Sequence, residues 1–240
     1  MTIVHTSPQG SEQWLADRRG CITGSRFKDC RDKLKSGAPS KACLTYAQDV
    51  ARERIGGSVL QTFATAAMRL GSDQEPIARM HYEMATDELV EEAGFITTDD
   101  RKFGVSVDGL IGADGLYECK TMVSSATLFT ALVEGDISEY IDQCEGEMWL
   151  LGRKWVDLHL WVADLPHLSK VIRIERDDER INALEADLIA FERLVSKYEA
   201  QLRALAGDTA PPAPPWDSPA VAAPQASAKA PAALPENLFA

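Results

Sequence analysis

The sequence predicts a mixed α/β fold of the α+β kind, a small mixed sheet flanked by helices and closed by a long C-terminal helix. Three observations predict it. Helical patterns fill the first third of the chain, and short β-rich runs with turn signals fill the middle. A single long apolar seam comes last, before the composition turns to proline and alanine.

Taken in order, Ser11 caps a short helix that carries Trp14 and Leu15 and stops at Gly20. A second helix is expected from near Thr23, where Phe27, Cys30 and Leu34 recur at helical spacing. A third starts at Thr45 and ends at Gly56-Gly57. Ser72 reads as the cap of a fourth, with Pro76 in the first turn, where a missing N–H costs nothing. Residues 89–98, 103–111 and 116–122 read as strands, the last two joined at Ala113-Asp114-Gly115, a hairpin signal.

Helices are expected over 125–134 and 138–151, the second with Ile141, Cys144, Met148 and Leu151 on one face. Strands return over 155–163 and 170–174. From 177 to 206, Ile181, Leu184, Leu188, Phe191, Val195, Tyr198, Leu202 and Leu205 alternate spacings of three and four. That is a heptad seam, expected to lie along its own domain, with pairing to another helix as the alternative. Residues 1–206 therefore form one domain, and 207–240 a Pro/Ala-rich tail too poor in apolar surface to fold. Trp216 and the closing Leu-Phe pair are apolar islands in it, read as drift or as a docking motif.

Composition narrows the class. With 45% hydrophobic and 26% charged residues the chain is an ordinary globular one, and about 200 residues bury enough surface to need no staple. Residues 1–9 lack the basic and apolar regions of a secretory start, and no apolar run approaches the ~20 residues that span a bilayer. Five cysteines, odd in number and never at CxxC spacing, point to free thiols in a reducing cytoplasm. A net charge of −12 argues against a nucleic-acid partner until its distribution is considered. Between Arg18 and Lys41 eight basic residues face two acidic ones, a local +6 that leaves −18 for the rest. That asymmetry suits a protein gripping DNA at one place, and equally suits a solvated helix face.

The chemistry concentrates in Ser106-Val-Asp-Gly109 and Glu118-Cys-Lys120. On a strand Glu118 and Lys120 share a face, and a hairpin folds Asp108 back toward them. Two converging carboxylates repel unless a cation lies between them, and hard oxygen ligands select Mg²⁺ or Mn²⁺. A lysine beside such an ion orients or deprotonates a water. The bland reading of Glu118 and Lys120 is an exposed ion pair contributing under ~1 kcal/mol.

Four segments carry a family likeness. They are Trp14-Leu-Ala-Asp-Arg-Arg-Gly-Cys-Ile-Thr-Gly-Ser25, Gly71-Ser-Asp-Gln-Glu75, the acidic hairpin just described, and Tyr140-Ile-Asp-Gln143. In this order and spacing, from about Glu12 to Leu205, the chain resembles the phage lambda exonuclease family, also described as YqaJ-type viral recombinases, within the PD-(D/E)xK nucleases. The resemblance implies a restriction-endonuclease-like core and a Mg²⁺-dependent 5′→3′ exonuclease acting on double-stranded DNA ends. It would release 5′-mononucleotides and leave 3′ overhangs for recombination by strand annealing. It also implies a homotrimeric ring, a single-strand annealing protein as partner, and work in the cytoplasm of a bacterial host with no membrane involved.

Carried over by residue, Asp108, Glu118, the Cys119 backbone carbonyl and Glu75 would surround the metal, taken as two ions. Lys120 would handle the water and Gln143 would contact water or phosphate, while Arg18, Ser25 and Ser106 would hold a 5′-phosphate. Glu75 reads equally as a first-turn acid, Gln143 as an exposed side chain, and Arg18 is one register from Arg19. An endonuclease of the same superfamily and a non-catalytic assembly module are the rival functions. The tail lies outside the family pattern.

Overall fold

The computed structural model describes residues 2–58 and 66–207. In chain order its elements are β1 (Thr2–His5), α1 (Glu12–Arg18), β2 (Ile22–Thr23), α2 (Phe27–Cys30), α3 (Lys41–Arg54) and α4 (Ala66–Thr86). Next come β3 (Val90–Glu91), β4 (Phe95–Thr98), β5 (Phe103–Ser106), β6 (Gly109–Ile111) and β7 (Gly115–Thr121). The chain closes with α5 (Ser125–Leu128), α6 (Ser138–Leu151), β8 (Trp155–Trp161), β9 (Lys170–Glu175) and α7 (Asp178–Ala206). The expected tail lies outside the described residues apart from Gly207.

Two small sheets replace the single sheet expected. One has the order β1-β4-β5-β2, the other β3-β6-β7-β8-β9. In the larger sheet β7 and β8 run parallel at the centre, with Glu118 opposite Leu158 and Lys120 opposite Leu160, and the outer pairs are antiparallel. A parallel pair needs a crossover, which α5 and α6 supply. Side-chain alternation along β7 then divides the layers. Tyr117 and Cys119 face α4 with Tyr82, and Leu116 joins the main core with Cys144 and Met148 of α6.

The run 103–111 is not one strand. Phe95 pairs with Ser106 in the first sheet, while Gly109 pairs with Tyr117 in the second. A single straight strand cannot satisfy both registers, so the chain steps between sheets at Val107 and Asp108. Gly109 permits the step, since a Cβ there would fall 2.0 Å from Val90 Cγ1. The hairpin turn lies one residue earlier than expected, with Gly112 at φ +50° and Gly115 already paired in β7. Residues 89–98 divide likewise into β3 and β4.

The helix expected to continue to Leu34 stops at Cys30. Leu34 is exposed, and the chain turns through Gly37 at φ +82° so that Lys33 bridges Pro39. Ser40, not Thr45, starts α3, its hydroxyl accepting from the Cys43 N–H at 3.2 Å. Ser72 is no cap either. α4 begins at Ala66 because Ala, Met and Leu extend it backwards, leaving Pro76 in its interior, with no N–H to give the Ser72 carbonyl.

Other readings hold. Ser11 Oγ accepts from the Trp14 N–H, and Gly20 takes φ +76°. Ile181, Leu184, Leu188, Phe191 and Val195 of α7 are buried in this chain's own core, with Tyr198 and Leu202 packed against it and Leu205 exposed. Arg54 bonds the Gly20 carbonyl and Glu192, pinning the end of α1 to α7. All five cysteines are free. Among the described residues no helix is long and apolar enough to cross a membrane.

Candidate active site

β7 and α6 face one another across the cluster that the sequence singles out. Glu118 is 2% exposed, and its Oε1 accepts from Lys120 Nζ at 2.6 Å and from Gln143 Nε2 at 2.6 Å. Gln143 Oε1 in turn accepts from Lys120 Nζ at 2.9 Å. Glu118 and Lys120 are therefore not an exposed surface pair, and Gln143 of α6 is a member of the cluster rather than a solvated side chain.

Asp108 occupies the step between the two sheets. β6 begins only at Gly109, opposite Tyr117, so the Cys119 N–H on β7 has no β6 partner and donates to Asp108 Oδ2 at 2.7 Å. Burial pushes the Asp108 carboxyl well above the usual carboxylate range, helped by Glu118 and then Glu75. Glu75 is raised by burial and then by Glu118. It lies in the interior of α4, not in a first turn, so dipole stabilisation does not account for it. Lys120 moves the other way. Burial alone would depress it, but Glu118 and Asp108 outweigh that and hold the ammonium above its ordinary range.

A cavity of about 450 Å³ is lined by Glu75, Asp108, Glu118, Cys119, Lys120 and Gln143, and by Arg18, Ser25 and Ser106. Arg18 Nη1 donates to Ser106 Oγ at 3.0 Å, and its guanidinium lies over the Trp14 ring at 4.3 Å. Arg18, not Arg19, is thus the arginine that enters the site, since Arg19 is exposed. All the sequence-selected side chains meet in this one space.

One resident of the cavity was not foreseen. Glu147 is fully buried on α6, and its Oε1 accepts from Gln143 Nε2 at 2.9 Å. Burial, then Glu118, raise its pKa well above the ordinary value. The available signal was its place four residues after Gln143, one helical turn along the same face. Tyr140 also lines the cavity, with Lys120 Nζ 6.0 Å from its ring centroid.

Carboxylates and a backbone carbonyl are donor types that suit a hard divalent cation such as Mg²⁺ or Mn²⁺. Glu118 Oε2 and Glu147 Oε2 are buried without a hydrogen-bond partner, and a nearby cation would relieve both. Among the described residues no three His, Cys, Asp or Glu side chains form a group that could hold a metal ion. The Glu118 and Asp108 oxygens are instead tied to Lys120, Gln143 and the Cys119 N–H.

Four of the eight basic residues in the stretch 18–41 form ion pairs. Arg26 contacts Asp29, Lys28 contacts Glu139, Arg31 reaches Asp142 at 2.8 Å, and Lys33 reaches Asp187 at 2.8 Å. Lys28, Arg31 and Lys33 fasten the α2 segment to α6 and α7, while the Arg26 pair is local.

A model of the YqaJ-like viral recombinase domain matches residues 13–154. The chain belongs to the YqaJ-like viral recombinase family. The match takes in every side chain assigned above. Two solved structures are similar to this member of the family: an alkaline exonuclease (LHK-Exo) from Laribacter hongkongensis, TM-score 0.70, and LHK-Exo in complex with dAMP, TM-score 0.73. Each is 32% identical over 82% of this chain and 98% of that one. A phage related exonuclease from Haemophilus somnus 129PT, at 14% identity, covers 78% of this chain and 96% of its own with a TM-score of 0.59, a likeness of fold alone. No curated protein matches the sequence.

Proposed function

We propose that this YqaJ-like protein is a DNA exonuclease that hydrolyses phosphodiesters with Mg²⁺, entering at a double-stranded end and working 5′→3′. The observation that carries the reading is that an acid–acid–lysine cluster and an Arg18–Ser106 pair line the same cavity. The similarity to alkaline exonucleases at 32% identity supports it.

In this reading Asp108, Glu118 and the Cys119 carbonyl hold the metal, taken as two ions, with Glu75 acting through water. Mg²⁺ bound there, or Mn²⁺ in its place, neutralises phosphate charge and lowers the pKa of a water. Arg18 forks onto the terminal 5′-phosphate, completed by the Ser25 and Ser106 hydroxyls. Trp14 supports that guanidinium from one face. Lys120 orients the attacking water and offsets developing negative charge, and Gln143 holds Lys120 in place. The product is a 5′-mononucleotide and a 3′ overhang ready for a single-strand annealing protein. In a ring of three copies only the lumen would need to be positive, which would reconcile a net charge of −12 with DNA binding.

The test uses linear duplexes labelled separately at each terminus, with and without Mg²⁺, beside covalently closed circles. The 5′ label is expected to appear first as mononucleotide, faster from 5′-phosphorylated ends, while the 3′-labelled strand persists and circles survive. Circles cut as fast as linear DNA would replace this reading with an endonuclease. Light scattering on the eluted protein counts the chains, with three expected.

A further inference from the structure

Glu147 is the buried carboxylate of the cavity to which no hydrolytic role has been given. It makes one hydrogen bond through Oε1, to Gln143 Nε2, and its Oε2 has no partner. Gln143 is an amide, and an amide has two faces. As built, its carbonyl meets the Lys120 ammonium at 2.9 Å and its NH₂ is shared between Glu118 Oε1 at 2.6 Å and Glu147 Oε1 at 2.9 Å. Turned over, the carbonyl would face two carboxylate oxygens and the NH₂ would face an ammonium, so both contacts would become repulsive.

The two carboxylates are not equivalent guardians of this orientation. Glu118 is shared with Lys120 and, on the reading above, with a divalent cation that draws on the same lone pairs. Glu147 lies four residues from Gln143 on the same helix, so the distance between them is set by α6 itself. Glu147 is closed off from solvent, which removes water as a competitor for the bond.

We infer that Glu147 is a positioning residue, whose Oε1 fixes the Gln143 amide with its carbonyl toward Lys120 and so aims the ammonium into the cavity. This rests on the hydrolytic reading of the site. The role requires an oxygen acceptor at that place and not a charge. It holds for the ionised carboxylate and also for the neutral acid with its proton on the unpartnered Oε2, because Oε1 then still accepts.

The test compares wild type with Glu147→Leu, Glu147→Gln, Gln143→Ala and the double variant Glu147→Leu/Gln143→Ala. Should leucine lower the melting temperature, Glu147→Met serves as the second apolar variant. The first readout needs neither metal nor DNA. The side-chain amide resonances of Gln143, assigned by their loss in Gln143→Ala, should keep their dispersed positions in Glu147→Gln and move toward free-amide values in Glu147→Leu. The second readout is turnover of 5′-phosphorylated linear duplex with Mg²⁺. Glu147→Leu should lower kcat on the order of 10- to 100-fold with KM changed by less than about threefold. Glu147→Gln should recover most of that loss, and the double variant should be no slower than Gln143→Ala. Unmoved Gln143 resonances in Glu147→Leu, equal losses with Leu and Gln, or multiplying effects in the double variant would each overturn the inference. If wild type fails to hydrolyse DNA, the proposed function fails, while the amide resonances still decide what Glu147 does.

Discussion

Asp108 shows how a candidate catalytic side chain can also serve the backbone. The Cys119 N–H has no β6 partner because β6 begins only at Gly109, and the Asp108 carboxylate satisfies it at 2.7 Å. Asp108→Asn keeps an oxygen for that N–H but removes the charge. Hydrolysis should fall at least about 10³-fold, roughly 4 kcal/mol of barrier, with the thermal melt little changed. Mononucleotide release and circular dichroism check the two halves of that statement. Arg18 admits a subtler change. Arg18→Lys preserves the charge and loses the fork, so KM should rise about tenfold for 5′-phosphorylated ends and hardly at all for 5′-hydroxyl ends. A similar rise for both ends would mean that Arg18 binds DNA without reading the terminal phosphate.

At the scale of elements, α6 serves the site and the core at once. Gln143 and Glu147 meet β7, while Gly146 lets the Phe27 ring of α2 lie where a Cβ would be, 2.2 Å from Phe27 Cδ2. Gly146→Ala gains helix propensity but must displace a buried ring, so a net loss of about 1–3 kcal/mol is expected by denaturant titration. Activity should fall with it, since displacing α6 moves Gln143. Ser40→Ala removes the α3 cap and should cost about 1 kcal/mol while leaving turnover unchanged, because α3 does not line the cavity. Elements with a local stop or start signal were legible in the sequence: α1 between Ser11 and Gly20, α6 and α7 by their apolar faces. The failures occurred where two local signals compete. Leu34 has helical spacing from Phe27 and Cys30, but a turn carries it into solvent. Ser72 before Pro76 looks like a helix start, but the helix formers ahead of it prevail.

For the whole molecule, one contribution to acid sensitivity comes from a buried histidine. His159 is 1% exposed, with Tyr117 OH at 2.9 Å from Nδ1, and burial, then His81, lower its pKa to about 4 from the ordinary 6.5. The folded state therefore binds fewer protons than the unfolded one between those values. Its contribution is complete above about pH 6.5 and is lost as pH falls toward 4, by up to about 3 kcal/mol. Urea melts from pH 4 to 7 should show that slope in wild type and a flatter one in His159→Asn. An unchanged slope would assign the acid sensitivity to other groups.

Sequence alone picked out the candidate site residues that the structure brings into one cavity. Asp108, Glu118, Lys120, Glu75, Gln143 and the Arg18, Ser25 and Ser106 set were legible because strand alternation, helical spacing and a family pattern are local properties of the chain. Tertiary structure alone decided that β5 and β6 belong to different sheets, that Glu147 sits against Gln143, and that Lys28, Arg31 and Lys33 of the basic stretch pair with Glu139, Asp142 and Asp187. Each of these depends on partners far away in sequence, and no local pattern encodes which strand edge or which acid will come to meet a residue.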